Sequence, residues 1–207
     1  APEIIKCQSS FNPFEADIEL FYGSCISSSC PGQEITNNDF SNIENIIQVK
    51  NSNVTIVFYN TISADVFLDL SKEGVSINLL TLKKYQFSTD NLINIPIKFG
   101  SSVSNLYAEK VTMTVQENDD FVIQNVTLKE SLFSSPANYA HLNTLTVDKS
   151  SILSSGITEF SNEINIILNT ASYLSIDFTK TGIKIIDTYT TEKSIELNVE
   201  KFPHANI

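Results

Sequence analysis

Arginine and tryptophan are both missing from this 207-residue chain, glycine and proline occur six times each, and methionine once. Each scarcity excludes something. The thirteen cationic side chains are all lysine, set against 24 acidic ones for a formal charge of -11. Arginine is the usual bidentate grip for phosphate and carboxylate, so an acidic chain without it is a poor fit for nucleic acid or an anionic membrane surface. No run of residues approaches the roughly 18 apolar positions that cross a bilayer, so membrane insertion by this segment is not expected. Without Asn-Gly or Asp-Gly dipeptides, the tight turns of antiparallel hairpins are also lacking. The bias toward Asn, Ile, Ser, Lys and Phe is what an A/T-rich genome produces.

Cysteine is scarce and crowded: Cys7, Cys25 and Cys30 all lie in the first thirty residues. The spacer in "GSCISSSCPG" is too long for a CxxC redox pair, and only His141 and His204 are available as imidazole ligands. The expected role is one disulfide in an N-terminal cap, its pairing open, with no metal site and no cofactor. The start, "APEIIKC", has neither a basic region nor an apolar h-region and reads like a mature end left by cleavage, which points to a secreted or cell-surface protein. Sequons at Asn53 and Asn125 are candidate glycosylation sites, although with 21 asparagines such triplets arise by chance.

What remains is a chain that is 42% hydrophobic and only 18% charged. Branched and aromatic residues alternate with polar ones in short runs, which predicts strands at 54–60, 66–70, 75–82, 92–99, 111–116 and 121–128. Further strands are predicted at 142–147, 164–168, 174–178, 183–187 and 195–199. Helical patterning is confined to 37–49, with Phe40, Ile43, Ile46 and Ile47 on one face, and to 134–142. The chain is therefore expected to be all-β.

The runs beginning at Val54, Val75, Leu92, Val111, Leu142, Ile164 and Ile183 are separated by 21, 17, 19, 31, 22 and 19 residues. A recurrence near 20 is a coil length at which one turn stacks on the next, because a single coil cannot bury its apolar side alone. The expected fold is a right-handed parallel β-helix, a solenoid of about 20 residues per coil, over 51–207, with residues 1–50 as a cap. The alternatives are an antiparallel β-sandwich and a leucine-rich-repeat horseshoe. In "LNTLTVDKSSIL" (142–153), Leu142, Leu145 and Val147 are expected inside, Ser150 at a corner and Ile152 on the next face. The tail "EKFPHANI" has no cap signature, so the chain is expected to be a fragment whose ends self-associate.

Candidate chemistry is sparse. Glu117, Asp119 and Asp120 form the densest acidic cluster, and Asp65 with Asp69 or Asp177 with Asp187 are further carboxylate pairs of the kind glycosidases use. Tyr59, Tyr85 and Tyr107 could stack sugar rings in place of tryptophan. His141 near Ser134 and Ser135 lacks a nucleophile-elbow motif. Small polar residues on the strands, namely Ser76, Asn78, Thr112, Thr114, Thr144 and Thr146, with Ser175 and Asp177, suggest a polar lateral ligand face.

In this texture, "VSNLYAEKV", "FVIQNVTLKESLF" and "LNTLTVDKSSIL" among them, the chain resembles repetitive β-helical surface proteins of A/T-rich protists and the passenger domains of bacterial adhesins. It lacks the Gly-Gly-Ala repeats of some such adhesins. The resemblance implies a non-enzymatic adhesion or display protein that binds extracellular glycan or protein ligands. The competing expectation is a polysaccharide-active glycoside hydrolase on the same fold.

Overall fold

A computed structural model describes residues 17–63, 65–116, 120–135, 139–148, 151–157, 164–168, 173–178, 183–187 and 194–197. Its strands begin with β1 (Asp17–Tyr22), β2 (Gln33–Ile35), β3 (Ser52–Phe58), β4 (Leu68–Asp69) and β5 (Ile77–Lys84). They continue with β6 (Asn94–Lys98), β7 (Val103–Glu109), β8 (Thr112–Val115), β9 (Asp120–Lys129) and β10 (Leu132–Ser135). The remainder are β11 (Tyr139–Asp148), β12 (Ser151–Ile157), β13 (Ile164–Leu168), β14 (Tyr173–Phe178), β15 (Ile183–Asp187) and β16 (Ser194–Leu197). Helix is limited to one turn, α1 (Asn37–Phe40), and a 3-10 turn at Ile43–Asn45.

The strands form two sheets. From β3 onward they alternate along the chain, odd-numbered strands joining a nine-stranded sheet that also holds β1 and β2, even-numbered ones a seven-stranded sheet. Every described ladder is parallel. The antiparallel sandwich is thereby overturned: without residues for tight reverse turns, each strand from β3 onward is followed by a crossover to the other sheet. The helix expected over 134–142 is also corrected, since β10 reaches Ser135 and β11 starts at Tyr139. Over 37–49 the helical pattern yields only the two short turns, which bury Phe40, Ile43 and Ile47 in the core with Ile46 packed against it.

Register explains the sequence rhythm. Ile18, Val54, Leu80, Leu106, Val126, Leu145, Ile166 and Ile185 are successive partners across the larger sheet. In the smaller sheet the corresponding column is Ile95, Met113, Phe133, Ile152, Leu174 and Ile195. Strand side chains alternate between faces, so one face of each sheet is apolar, and side chains from both sheets enter one core, with Leu80, Leu106, Ile95 and Met113 no more than 1% exposed. Leu145 and Val147 are fully buried as expected, and Ile152 lies in the other sheet opposite Phe133. Ser150 lies outside the described residues.

With little glycine, two corners use ordinary residues in the left-handed region. Lys110 (φ 55) follows β7 and Glu130 (φ 49) follows β9. The Lys110 N–H donates to the Lys129 carbonyl at 2.9 Å, and the Glu130 N–H to the Asp148 carbonyl at 2.8 Å, so each corner is tied to the strand above it. Beneath them the buried Ser131 hydroxyl accepts from the Val111 N–H at 3.3 Å and donates to the Lys129 carbonyl at 2.9 Å. A β-branched residue is worse placed here than lysine. Lys110→Val is expected to lower unfolding free energy by about 1 kcal/mol, with Lys110→Gly at least as stable as the parent; equal stabilities in urea unfolding would contradict the corner geometry.

Candidate ligand-binding face

The outward face of the larger sheet carries three polar columns. The first is amide-rich. Asp17 and Asn53 are partners, as are Asn105 and Asn125. A register shift where Ser52 pairs with Ile77 and Asn53 with Leu79 leaves Asn78 as an extra residue in β5, a bulge. Its amide joins the column: Asn53 donates to Asp17 Oδ1 at 3.2 Å, Asn78 to Asn53 Oδ1 at 3.0 Å, and Asn125 to Asn105 Oδ1 at 2.7 Å. Asn105 donates to the Asn78 carbonyl at 2.8 Å and less closely to its side-chain oxygen at 3.4 Å. The donors all run one way, toward the strand before.

Two residues along, the second column reads Glu19, Thr55, Thr81, Tyr107, Thr127 and Thr146. Two further along comes a charge column of Lys83, Glu109, Lys129 and Asp148, alternating in sign. Lys129 Nζ lies 3.4 Å from Glu109 Oε1, and that hydrogen bond holds the lysine above its ordinary pKa. The three columns explain both sequons. Asn53 with Thr55, and Asn125 with Thr127, are i, i+2 pairs in strands, so Asn-x-Thr follows from an asparagine column beside a threonine column.

The polar positions singled out from sequence do not share one surface. Asn78, Thr144 and Thr146 belong to the larger sheet, with Ser76 just before β5, whereas Thr112, Thr114 and Ser175 belong to β8 and β14 of the smaller one. Thr114 donates to Asn94 Oδ1 at 3.0 Å, and Ser76 donates to Asn51 Oδ1 at 3.3 Å. The carboxylates are likewise dispersed. Asp69 is buried, accepting from the Ser71 N–H at 3.0 Å and facing Lys72 at 3.9 Å, while Asp65 is exposed. Asp177 and Asp187 fall on strands of different sheets, as do Ser134 and His141. Asp120 opens β9, paired with Tyr139, while Glu117, Asp119 and His204 lie outside the described residues. Among the described residues no group of three or more His, Cys, Asp or Glu gathers as a metal site, and no helix is long and apolar enough to cross a membrane.

Of the three tyrosines, Tyr59 and Tyr85 stack on each other with ring centroids 4.2 Å apart, while Tyr107 stands alone in the threonine column. Phe21 meets Tyr59 edge-on at 5.9 Å, and the exposed Phe87 meets Tyr85 at 5.8 Å. Burial and the neighbouring phenol push the Tyr59 hydroxyl above its ordinary pKa. Cys25 and Cys30 form a disulfide, and both pack on a small cluster of Phe21, Val57 and Tyr59. Cys7 lies outside the described residues. Beside the bridge is an open cleft of about 450 Å³ lined by Phe21, Tyr22, Cys25, Ile26 and Glu34 among others. Closing so short a loop constrains the unfolded chain by about 2 kcal/mol. Replacing both Cys25 and Cys30 by serine is therefore expected to lower stability by about that amount, checked by denaturant unfolding against the parent; no change would mean the loop contributes nothing.

The asparagine column has a signal in the sequence. Asparagine directly precedes a core residue in "SNVTI", "SNLYA" and "QNVTL", a recurrence that register turns into a column. No protein family, no curated protein and no solved structure matches this chain.

Proposed function

We infer that the chain is a parallel β-solenoid of adhesive or display type, working outside the cell without catalysis and binding glycan or protein ligands along the polar face of the larger sheet. Strands alternating between two all-parallel sheets support the solenoid, because each pair of strands then makes one coil. Residues 17–50 serve as its cap: β2, the disulfide-closed loop and α1 cover the edge of β1, which would otherwise offer unpaired backbone groups. A disulfide is consistent with an oxidising compartment. The observation that carries the functional reading is the columned face itself. Six parallel strands, β1, β3, β5, β7, β9 and β11, set about 4.8 Å apart, present polar groups in register over about 24 Å, a surface suited to extended contact.

The test is retention of the purified chain on a broad panel of immobilised glycans and extracellular matrix proteins. Selective retention, weakened by replacing Thr127 and Thr146 with lysine on that face, is expected. Retention on nothing, or turnover of a polysaccharide, would overturn the reading. Solution scattering adds a check on shape: an elongated particle is expected, and a sphere would contradict the solenoid.

A further inference from the structure

Resting on that reading, we propose that the ligand of the larger sheet's outer face is a neutral, extended polysaccharide whose chain runs across the strands, along the direction in which they stack. Three observations converge on this. The first is the supply of donors. Asn53, Asn78 and Asn125 are exposed, and each uses one amide hydrogen on the neighbour one strand earlier. A primary amide has two hydrogens, so a second donor per amide remains outside the ladder. The ladder fixes these amides in line, so a ligand meets them without ordering three loose side chains.

The second observation is charge. The charge column is balanced, with Lys83 and Lys129 alternating with Glu109 and Asp148, while Asp17 and Glu19 stand at the β1 end of the other two columns. A polyanion would meet Glu109 and Asp148, and a polycation the two lysines. An uncharged chain of hydroxyl, ether and amide oxygens meets neither penalty.

The third is Tyr107, the single aromatic residue in a column otherwise made of Thr55, Thr81, Thr127 and Thr146 after Glu19. It lies two residues from Asn105 on the same face of β7, and it is half-buried between its threonine neighbours. An aromatic ring with amides beside it joins an apolar platform for sugar C–H groups to donors for sugar oxygens. The orientation follows from the repeat. Donors recur at the strand spacing, about 4.8 Å, so an extended sugar chain along the stack meets a new amide at each step, whereas one lying along a strand meets a single row.

The experiment is calorimetric titration of the whole chain with β-1,4-linked glucose and N-acetylglucosamine oligomers of two to six sugars. Heparin fragments of matched length serve as the polyanionic comparison. For at least one neutral series, affinity is expected to rise roughly threefold per added sugar until the ladder is covered. Tyr107→Thr completes the threonine column without disturbing the core and is expected to weaken the longest oligomer roughly tenfold, with its melting temperature kept. Length-independent affinity, an unaffected Tyr107→Thr variant, equal binding of heparin, or no binding of either neutral series would each overturn this proposal. Retention of the chain on other panel surfaces in the same preparations would leave the adhesive reading standing, so the two failures are distinguishable.

Discussion

Phe121→Ala is expected to cost about 3–5 kcal/mol of stability and to lower the melting temperature by on the order of 10 °C. The reason lies in how the two sheets meet. Phe121 comes from β9 in the larger sheet, Phe133 from β10 in the smaller one, and Phe99 directly follows β6. Their rings lie 5.3 Å (Phe99 to Phe121), 6.2 Å (Phe121 to Phe133) and 6.3 Å (Phe99 to Phe133) apart. Phe121 is fully buried, so truncation removes apolar area and leaves a cavity between two other rings that only partly collapses. Phe121→Leu keeps most of the volume and is expected to lose less than half as much. Both variants are compared by urea unfolding with a common slope, and a loss below about 1 kcal/mol for the alanine variant would mean the rings do not pack as described.

The second large effect concerns backbone. Gly32 has φ +88, and a Cβ built there would stand 2.0 Å from the Glu19 carbonyl oxygen and 2.4 Å from its carbonyl carbon. Those are backbone atoms of β1, so no side-chain rotation relieves the clash. Gly32→Ala is expected to cost more than about 3 kcal/mol, concentrated in β2 and the disulfide loop. Gly74 supplies the control: its φ is +90 but a Cβ there meets nothing within 4 Å. Gly74→Ala should thus show only the conformational cost, about 1 kcal/mol. Hydrogen exchange locates the damage. In Gly32→Ala the amides of Gln33–Ile35 should lose protection while those at Leu106 and Val126 keep theirs. Unchanged exchange in β2 would contradict the close approach.

Much of this architecture is legible in the sequence. Leu145 and Val147 are buried as their alternation predicts, and Ile152 falls on a strand of the other sheet. The phase of the recurrence differs from the expected one. Val54 lies in the larger sheet and Leu92 leads into β6 of the smaller one, so the 75-to-92 step crossed between sheets. True partners in the larger sheet step by 26 residues from Val54 to Leu80 and again to Leu106, then by 20, 19, 21 and 19 as far as Ile185. The strands passed over at 132–135 and 151–157 are short and rich in serine, and their apolar alternation is too brief to stand out alone.

The candidate face was harder to read, for a physical reason. Which outward residues become neighbours depends on register between strands 20 or more residues apart, and a single bulge at Asn78 decides whether its amide joins Asn53. Tyr59 and Tyr85 come together, and Tyr107 does not, because the ends of β3 and β5 align Tyr59 and Tyr85 beyond the strand termini. Thr112 and Thr114 repeat the local pattern of Thr144 and Thr146, yet alternation between sheets carries the two pairs apart. Local composition carries the periodicity of a strand, but not the sheet it joins.

The account rests on side-by-side strands that all point the same way and stack in chain order. Spin labels test this directly if one is fixed at Glu19 and the other placed at Thr127 or Thr146, all in one outward column. Pulsed electron resonance should give Cα-equivalent separations of about 19 and about 24 Å, a step of one strand spacing. Equal distances, or a shorter one to Thr146, would mean that β9 and β11 are not consecutive parallel neighbours and would contradict the stack.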